Sequence, residues 1–179
     1  MIGVMHPLEK FRFCPVCGSS HFRDNDNKSK RCDNCGFEYY INPSSAVAAF
    51  IQDSEKKLLV VIRAKEPGKG TIDLPGGFCD IGERLEQAIV REVEEETSMH
   101  VTSCEYMFSE PNKYRYSDFD IPTLDSFFRC EVENVAVSKA DDDASELMWL
   151  SRGDIKTELF GLRSIRNAVR RFLDDEDNW

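Results

Sequence analysis

The stretch from Gly77 to Met99, GFCDIGERLEQAIVREVEEETSM, limits the possible folds of this chain more than any other. Leu74-Pro75-Gly76-Gly77 leads into it as a turn signal, since paired glycines take backbone angles that other residues resist. A helical period follows. Leu85, Ala88 and Ile89 stand at i, i+3 and i+4 and share one stripe. Continued to i+7 and i+11, that stripe carries Glu92 and Glu96, with Glu95 beside them, while Gln87, Arg91, Glu94 and Ser98 fall on the other side. Carboxylates three or four residues apart repel by roughly a few tenths of a kcal/mol per pair. The C-terminal half of a helix disfavours them further. A divalent cation reverses both penalties, because hard ions such as Mg²⁺ take one or two carboxylates with waters and substrate phosphates. The plainer alternative is a solvated acidic face.

Four cysteines impose a second constraint. Cys14-Pro-Val-Cys17-Gly18 and Cys32-Asp-Asn-Cys35-Gly36 make C-x2-C-x14-C-x2-C, the knuckle pattern of a zinc ribbon. A two-residue spacer lets both thiolates of a pair reach one tetrahedral ion, and the following glycine relieves the turn. A segment of about 25 residues buries too little to fold alone, so the metal supplies the folding energy. All four positions are filled by protein, which makes the zinc structural. Disulfides are the alternative, and iron fits the same sulfur geometry. Cys79, Cys104 and Cys130 lack partners at ligand spacing and read as packed thiols.

Length and charge bound the rest. The 179 residues allow one packed domain plus a small module. A net charge of −10 argues against a broad nucleic-acid footprint, so no nucleic-acid partner is expected. No apolar run approaches a membrane span of roughly 20 residues. The opening MIGVMHPLEKF lacks the pattern of a secretion signal, and a cytoplasmic setting is the expectation.

Along the chain, Asp24 to Ser29 is a polar hairpin tip. Phe37 to Ile41 suit either base stacking or, preferred here, the joining of a small module to its neighbour, and Pro43 marks the boundary. Ala46–Gln52 and Leu58–Arg63 read as a hairpin around Asp53 to Lys57. Arg63 and Lys65 suit either phosphate contact or an ordinary polar strand end. Val101–Phe108, Thr123–Val132 and Leu147–Leu150 read as strands. Ser109–Ile121 reads as a basic, aromatic loop that fits either nucleotide recognition or plain surface. Ser151 is placed to N-cap the next turn. Leu162, Ile165, Val169, Phe172 and Leu173 mark a terminal amphipathic helix, followed by a frayed acidic tail from Asp174.

Gly77, Glu83 six residues on, and Arg91-Glu92-Val93-Glu94-Glu95-Glu96 resemble the Nudix box, G-x5-E-x7-R-E-U-x-E-E-x-G-U with U aliphatic. Only the late glycine departs, being Ser98 here; Met99 fills the last apolar slot. Many Nudix proteins also place Trp where this chain has Ile72. The resemblance implies an α/β fold, a Nudix-type α/β/α sandwich with a mixed sheet. Residues 1–42 would form the zinc ribbon and 43–179 the hydrolase domain. A ribbon ahead of this domain resembles the NADH pyrophosphatase branch and related ADP-ribose or FAD pyrophosphatases. The Ser-Gln-Pro-Trp-Pro-Phe-Pro signature of NADH pyrophosphatases is missing, and Glu110-Pro111-Asn112-Lys113-Tyr114 stands in that region, so NADH is not the expected main substrate.

By the same resemblance, Glu92, Glu95 and Glu96 would bind Mg²⁺ or Mn²⁺, with the Gly76 carbonyl as a further ligand. Arg91 would orient Glu83 or Glu95. The implied reaction is hydrolysis of a phosphoanhydride in a small-molecule nucleotide, a nucleoside diphosphate linked to another moiety. Glu95 is the preferred general base, with Glu146 and Asp141 to Asp143 as loop alternatives. A homodimer is common among the resembled enzymes. The rival is a non-catalytic nucleotide sensor or partner-binding protein, with Ser98 as the one feature in its favour.

Overall fold

The structure, a computed structural model, describes residues 6–133 and 144–178. Three short strands, β1 (Phe22–Asp26), β2 (Ser29–Cys32) and β3 (Glu38–Tyr40), form an antiparallel ribbon. After them come β4 (Ser44–Ile51), β5 (Leu58–Arg63), β6 (Ile72–Asp73), β7 (Gly76–Phe78), α1 (Leu85–Thr97), β8 (His100–Tyr116), β9 (Phe119–Glu133), β10 (Ala144–Leu150) and α2 (Arg163–Asp174). They build two sheets. One has the order β7-β4-β9-β8 and is mixed, because β4 and β9 run parallel; the other, β10-β5-β6, is antiparallel.

Strand periodicity explains the layering. Val47, Ala49 and Ile51 of β4, Leu59 and Val61 of β5, and Phe128 and Cys130 of β9 pack with Ala88, Ile89 and Val93 of α1. The alternate residues Ala48, Phe50, Leu58, Val60 and Phe127 pack with Ile165, Ala168, Val169 and Phe172 of α2. Phe50 and Phe172 lie face to face, ring centres 4.1 Å apart. Continuous apolar runs such as Leu58 to Ile62 are therefore strands buried from both sides. The result is the expected α/β/α sandwich with a small ribbon ahead of it.

Several sequence expectations change. Ala46–Gln52 and Leu58–Arg63 are not a hairpin ladder: β4 and β5 belong to different sheets, and the isolated bridge Gln52–Leu58 just past β4 takes the place of a ladder. Asp53 turns the chain between sheets by accepting the N–H groups of Glu55 and Lys57, each at 2.8 Å. Ser109–Ile121 is not a loop. β8 runs through to Tyr116 and returns as β9 across Ser117 and Asp118, both at positive φ as a tight two-residue hairpin turn requires. Pro111 is tolerated because β8 is an edge strand. Ser151 makes no capping bond to the turn after it. The acidic tail is tied down as far as Asn178, whose side chain is buried and donates to the Phe172 carbonyl at 3.0 Å.

Of the aromatics after the second knuckle, Tyr39 leads to the sandwich and Phe37 stays within the ribbon. Phe37 packs on Phe22 between the knuckles. Tyr39 stacks on Phe11, which in turn meets Phe119 at the start of β9 with ring centres 5.6 Å apart.

Candidate active site

The glycine turn is shaped by close approach of backbone. Gly76 adopts φ 150° against β4, where a Cβ would lie 2.1 Å from the Val47 carbonyl oxygen. A Cβ on Gly77 would lie 2.7 Å from the Glu92 carboxyl group. The two glycines thus let α1 bring its acidic flank onto the turn. The Gly76 N–H donates to Glu96 Oε2 at 2.9 Å.

The buried face of α1 is Ala88, Ile89, Val93 and Thr97. Glu92 and Glu96 therefore do not continue the packing stripe; they stand one residue off it, on the margin facing the turn. Charge decides this, since a carboxylate inside the core would lose its hydration. Arg91, expected on the opposite side, instead reaches across. Its Nε and Nη2 donate to the two oxygens of Glu83, both at 2.9 Å, a paired geometry that suits guanidinium and carboxylate. Nη1 donates to Glu92 at 2.8 Å and to Glu95 at 3.1 Å, and Nη2 also reaches the Phe78 carbonyl at 3.1 Å.

These contacts separate the acids electrostatically. Arg91 and then the Asp80 N–H hold the Glu83 carboxyl well below its usual range, down to about 2. Burial pushes Glu92 up, against the pull of Arg91. An added cation at Glu92 would oppose that shift.

A cavity of about 470 Å³ opens on the turn, within the range of small-molecule sites. Gly76, Gly77, Arg91, Glu92 and Glu96 line it together with Arg63, Lys65, Asp73, Asn112 and Asp125. Glu95, with a side chain 61% exposed, and Glu83 line a neighbouring outer groove instead. The helix thus divides its carboxylates between two surfaces. A magnesium-like ion needs only one or two carboxylates, and Glu92 with Glu96 provides that pair at the cavity; all three glutamates at one point is not the arrangement seen. Glu146 is exposed on β10, and Asp141 to Asp143 lie outside the described residues.

Opposite the box lies a polar wall that sequence reasoning missed. Arg63 donates to Asp73, to the Pro67 carbonyl at 2.7 Å and to the Tyr114 hydroxyl at 3.4 Å, so it is committed to the wall and is no loose strand end. Burial pushes the Asp73 carboxyl up in spite of Arg63. Asp125 accepts from Thr123, Asn112 and Ser164. Asp125 beside the apolar residues of β9 was the available signal; Thr123 shares its strand, but Asn112 and Ser164 sit on other segments and gave none.

The ribbon cysteines are fully assembled. Among the described residues they are the only group of three or more potential ligands whose atoms all lie within 4.8 Å of one another. Cys14 and Cys35 Sγ are 3.7 Å apart and Cys17 and Cys32 3.6 Å, far beyond a disulfide bond, and all four are free thiols. Gly18 and Gly36 take positive φ and close each knuckle onto the Cys14 and Cys32 carbonyls at 2.9 Å. The Ser19 N–H and then the Asn34 amide lower the Cys17 thiol to about 6. Donors aimed at sulfur suit a thiolate, so this set fits zinc.

Ser98 is accounted for by backbone alone. It ends α1 in the left-handed conformation, φ 56°, its N–H bonded to the Glu94 carbonyl at 2.9 Å. Glycine would take that position with less strain. No helix among the described residues is long and apolar enough to cross a membrane.

Comparison with known proteins adds three findings. Residues 42–172 match the family model described as NUDIX domain. Curated relatives include the NAD-capped RNA hydrolase NudC of Haemophilus influenzae, 26% identical over 151 residues, covering 84% of this chain and 55% of that protein. The protein of the same name from Vibrio atlanticus is 30% identical over 106 residues, covering 59% of this chain and 39% of its own length. The chain therefore spans about two fifths to just over half of these relatives. Among solved structures, a NUDIX hydrolase from Nitrosomonas europaea superposes with TM-score 0.70 at 22% identity, covering 93% of this chain and 92% of that one. The NUDIX domain of Shewanella oneidensis NrtR, solved with ADP ribose, superposes with TM-score 0.59 at 23% identity, covering 74% and 90%. At these identities the likeness is one of fold.

Proposed function

The chain belongs to the NUDIX domain family, and on that premise we propose that it is a metal-dependent pyrophosphohydrolase. Its substrate class is a nucleoside diphosphate linked to another moiety, such as ADP-ribose or a dinucleotide. One observation carries the reading: the glycine turn, Glu92 and Glu96 share a single cavity with Lys65 and with Arg63, whose guanidinium is held in the wall by Asp73. A diphosphate needs both a cation and positive side chains, and this cavity offers a place for each.

In this proposal Glu92 and Glu96 hold Mg²⁺ or Mn²⁺, with the Gly76 carbonyl as a further oxygen. When bound, the ion supplies charge neutralisation of the phosphates and a lowered pKa for an attacking water. The water oxygen bonds to one phosphorus and the bridging oxygen leaves with the other, giving a nucleoside monophosphate and a second phosphate ester. Arg91 fixes Glu83 and restrains the cluster. Glu95 is the proposed proton acceptor because it is the most water-accessible of the three acids. It faces the outer groove, so its carboxylate must turn past Arg91 to act, and Glu95→Gln tests that assignment.

Residues 1–42 form a structural zinc module in this reading, and 43–179 the hydrolase domain. Free thiols at zinc spacing support a reducing, cytoplasmic setting. The net charge of −10 favours a free nucleotide over capped RNA. A homodimer is carried over from the resembled pyrophosphatases, and light scattering checks it. The deciding experiment is a nucleotide panel (ADP-ribose, NADH, nucleoside triphosphates and a capped RNA) with and without Mg²⁺, products identified. Mg²⁺-dependent monophosphate release from a diphosphate-linked nucleotide is expected; no release from any member would defeat the proposal.

A further inference from the structure

Asn112, Tyr114 and Tyr116 alternate along β8, so they share one face of the strand, and all three line the cavity. Asn112 pairs in register with Thr123 of β9, two residues before Asp125. Asp125 is 6% exposed and accepts from Thr123 Oγ1 at 2.6 Å, from Asn112 Nδ2 at 3.2 Å and from the Ser164 hydroxyl. With Thr123, Ser164 and Asn112 all donating to Asp125, the network turns the Asn112 nitrogen toward it and the Asn112 oxygen away. Rotating the amide by half a turn would set oxygen against oxygen. Asn112 is itself 7% exposed. Among the described residues its Oδ1 acceptor and second Nδ2–H take no other side-chain bond, and Asn112 lines the cavity.

A fixed acceptor beside a fixed donor, in one plane, is the edge that pairs with the exocyclic amine and N7 of adenine. Phe78 and Tyr114 stand beside it edge to face, ring centres 5.1 Å apart, and offer an apolar wall for a base. We infer that Asn112 determines base specificity by reading the N6/N7 edge of adenine, an assignment that rests on the cavity being a nucleotide site. The adenine N6–H donates to Oδ1, and N7 accepts the free Nδ2–H. Hypoxanthine puts an oxygen in place of the amine and meets Oδ1 with a second acceptor. The Asp125 network prevents the amide from turning to suit it.

Calorimetry on the full-length, zinc-loaded chain tests this with ADP-ribose, its inosine counterpart and its 7-deaza-adenine counterpart, no further divalent ion being added. Inosine should bind roughly ten- to a hundredfold more weakly, and the 7-deaza ligand roughly tenfold. Asn112→Leu should bring the three to within about threefold by weakening adenine alone. Equal binding of adenine and inosine ligands, or binding of neither, would overturn the inference. Should the variant fail to fold, the ligand series on the unmodified chain decides by itself. An adenine preference without Mg²⁺-dependent AMP release would fell the hydrolase reading and leave this one standing. AMP release with no base preference would do the reverse.

Discussion

Cys14, Cys17, Cys32 and Cys35 stand within 4.8 Å of one another around almost no core, only Phe22 and Phe37 packing beside them. Glu92, Glu95 and Glu96 lie on a helix anchored in a large core, yet their carboxylates do not converge on one point: Glu92 and Glu95 share Arg91 Nη1, and Glu96 takes the Gly76 N–H. Support by packing and assembly of a metal site thus run in opposite directions in the two regions. In the ribbon, backbone turns and N–H groups place the sulfurs, and with all four ligands supplied by protein the site is closed. On α1 the carboxylates repel, so Arg91 bridges Glu83, Glu92 and Glu95 while the Gly76 N–H holds Glu96 at the turn. In the proposed reading, such a site would leave room for a substrate phosphate to complete it. Arg91 does for the acids part of what zinc would do for the thiolates.

The sharpest way to break this contrast is in the ribbon. Cys14→Ser should release the zinc and unfold residues 14–40, since the ion supplies roughly 10 kcal/mol of folding energy to a module this small. The α/β/α sandwich should keep its own melting transition. Metal analysis with calorimetric melting checks both points; full zinc content and an unchanged melt would contradict a structural role.

A smaller effect is expected at Arg91. Arg91→Ala removes charge-assisted bonds to Glu83, Glu92 and Glu95 and leaves a half-buried acid cluster unneutralised. Urea unfolding should show a loss of about 2 to 3 kcal/mol. Added Mg²⁺ should recover part of it if an ion can replace the guanidinium, and no recovery would show that Arg91 does not stand in for a cation.

The smallest effect is set by pH. Glu83 is held at about 2 in the folded chain and ionises near 4.3 when unfolded, so the folded state binds fewer protons between those values. Its contribution to stability is complete above the unfolded value and is lost as pH falls through about 2. Glu92, raised by burial, has the opposite sign: its ionisation costs stability, and acid relieves it. Acid melting of wild type against Glu83→Gln should therefore converge toward pH 2; parallel curves would show that Arg91 does not hold Glu83.

How far residues revealed their places follows from how local their partners are. The knuckles and the box were legible because Cys14 and Cys17, or Glu92 and Glu96, constrain each other within a turn or two of chain. The β4–β5 hairpin was misread because β4 takes its partners from Gly76–Phe78 and Thr123–Cys130, far along the sequence. The β8–β9 arm is hard to see in the sequence because Ser117-Asp118 lacks the glycine that usually marks such a turn. The reach of Arg91 was hidden by the length of its side chain, which carries its charge well away from its own helical sector. The Asn112–Asp125–Ser164 network joins three separate segments, and no spacing rule could bring them together.

Most directly at stake is whether an ion at Glu92 and Glu96 works on a diphosphate. AMP release from ADP-ribose should be followed across a Mg²⁺ titration for zinc-loaded wild type and for Glu96→Gln, a nearly isosteric change that removes one charge. The account predicts turnover that rises with Mg²⁺ in wild type and falls by about a hundredfold or more in the variant, at little cost in melting temperature. Wild-type turnover indifferent to Mg²⁺, or equal rates from both proteins at low Mg²⁺, would contradict it.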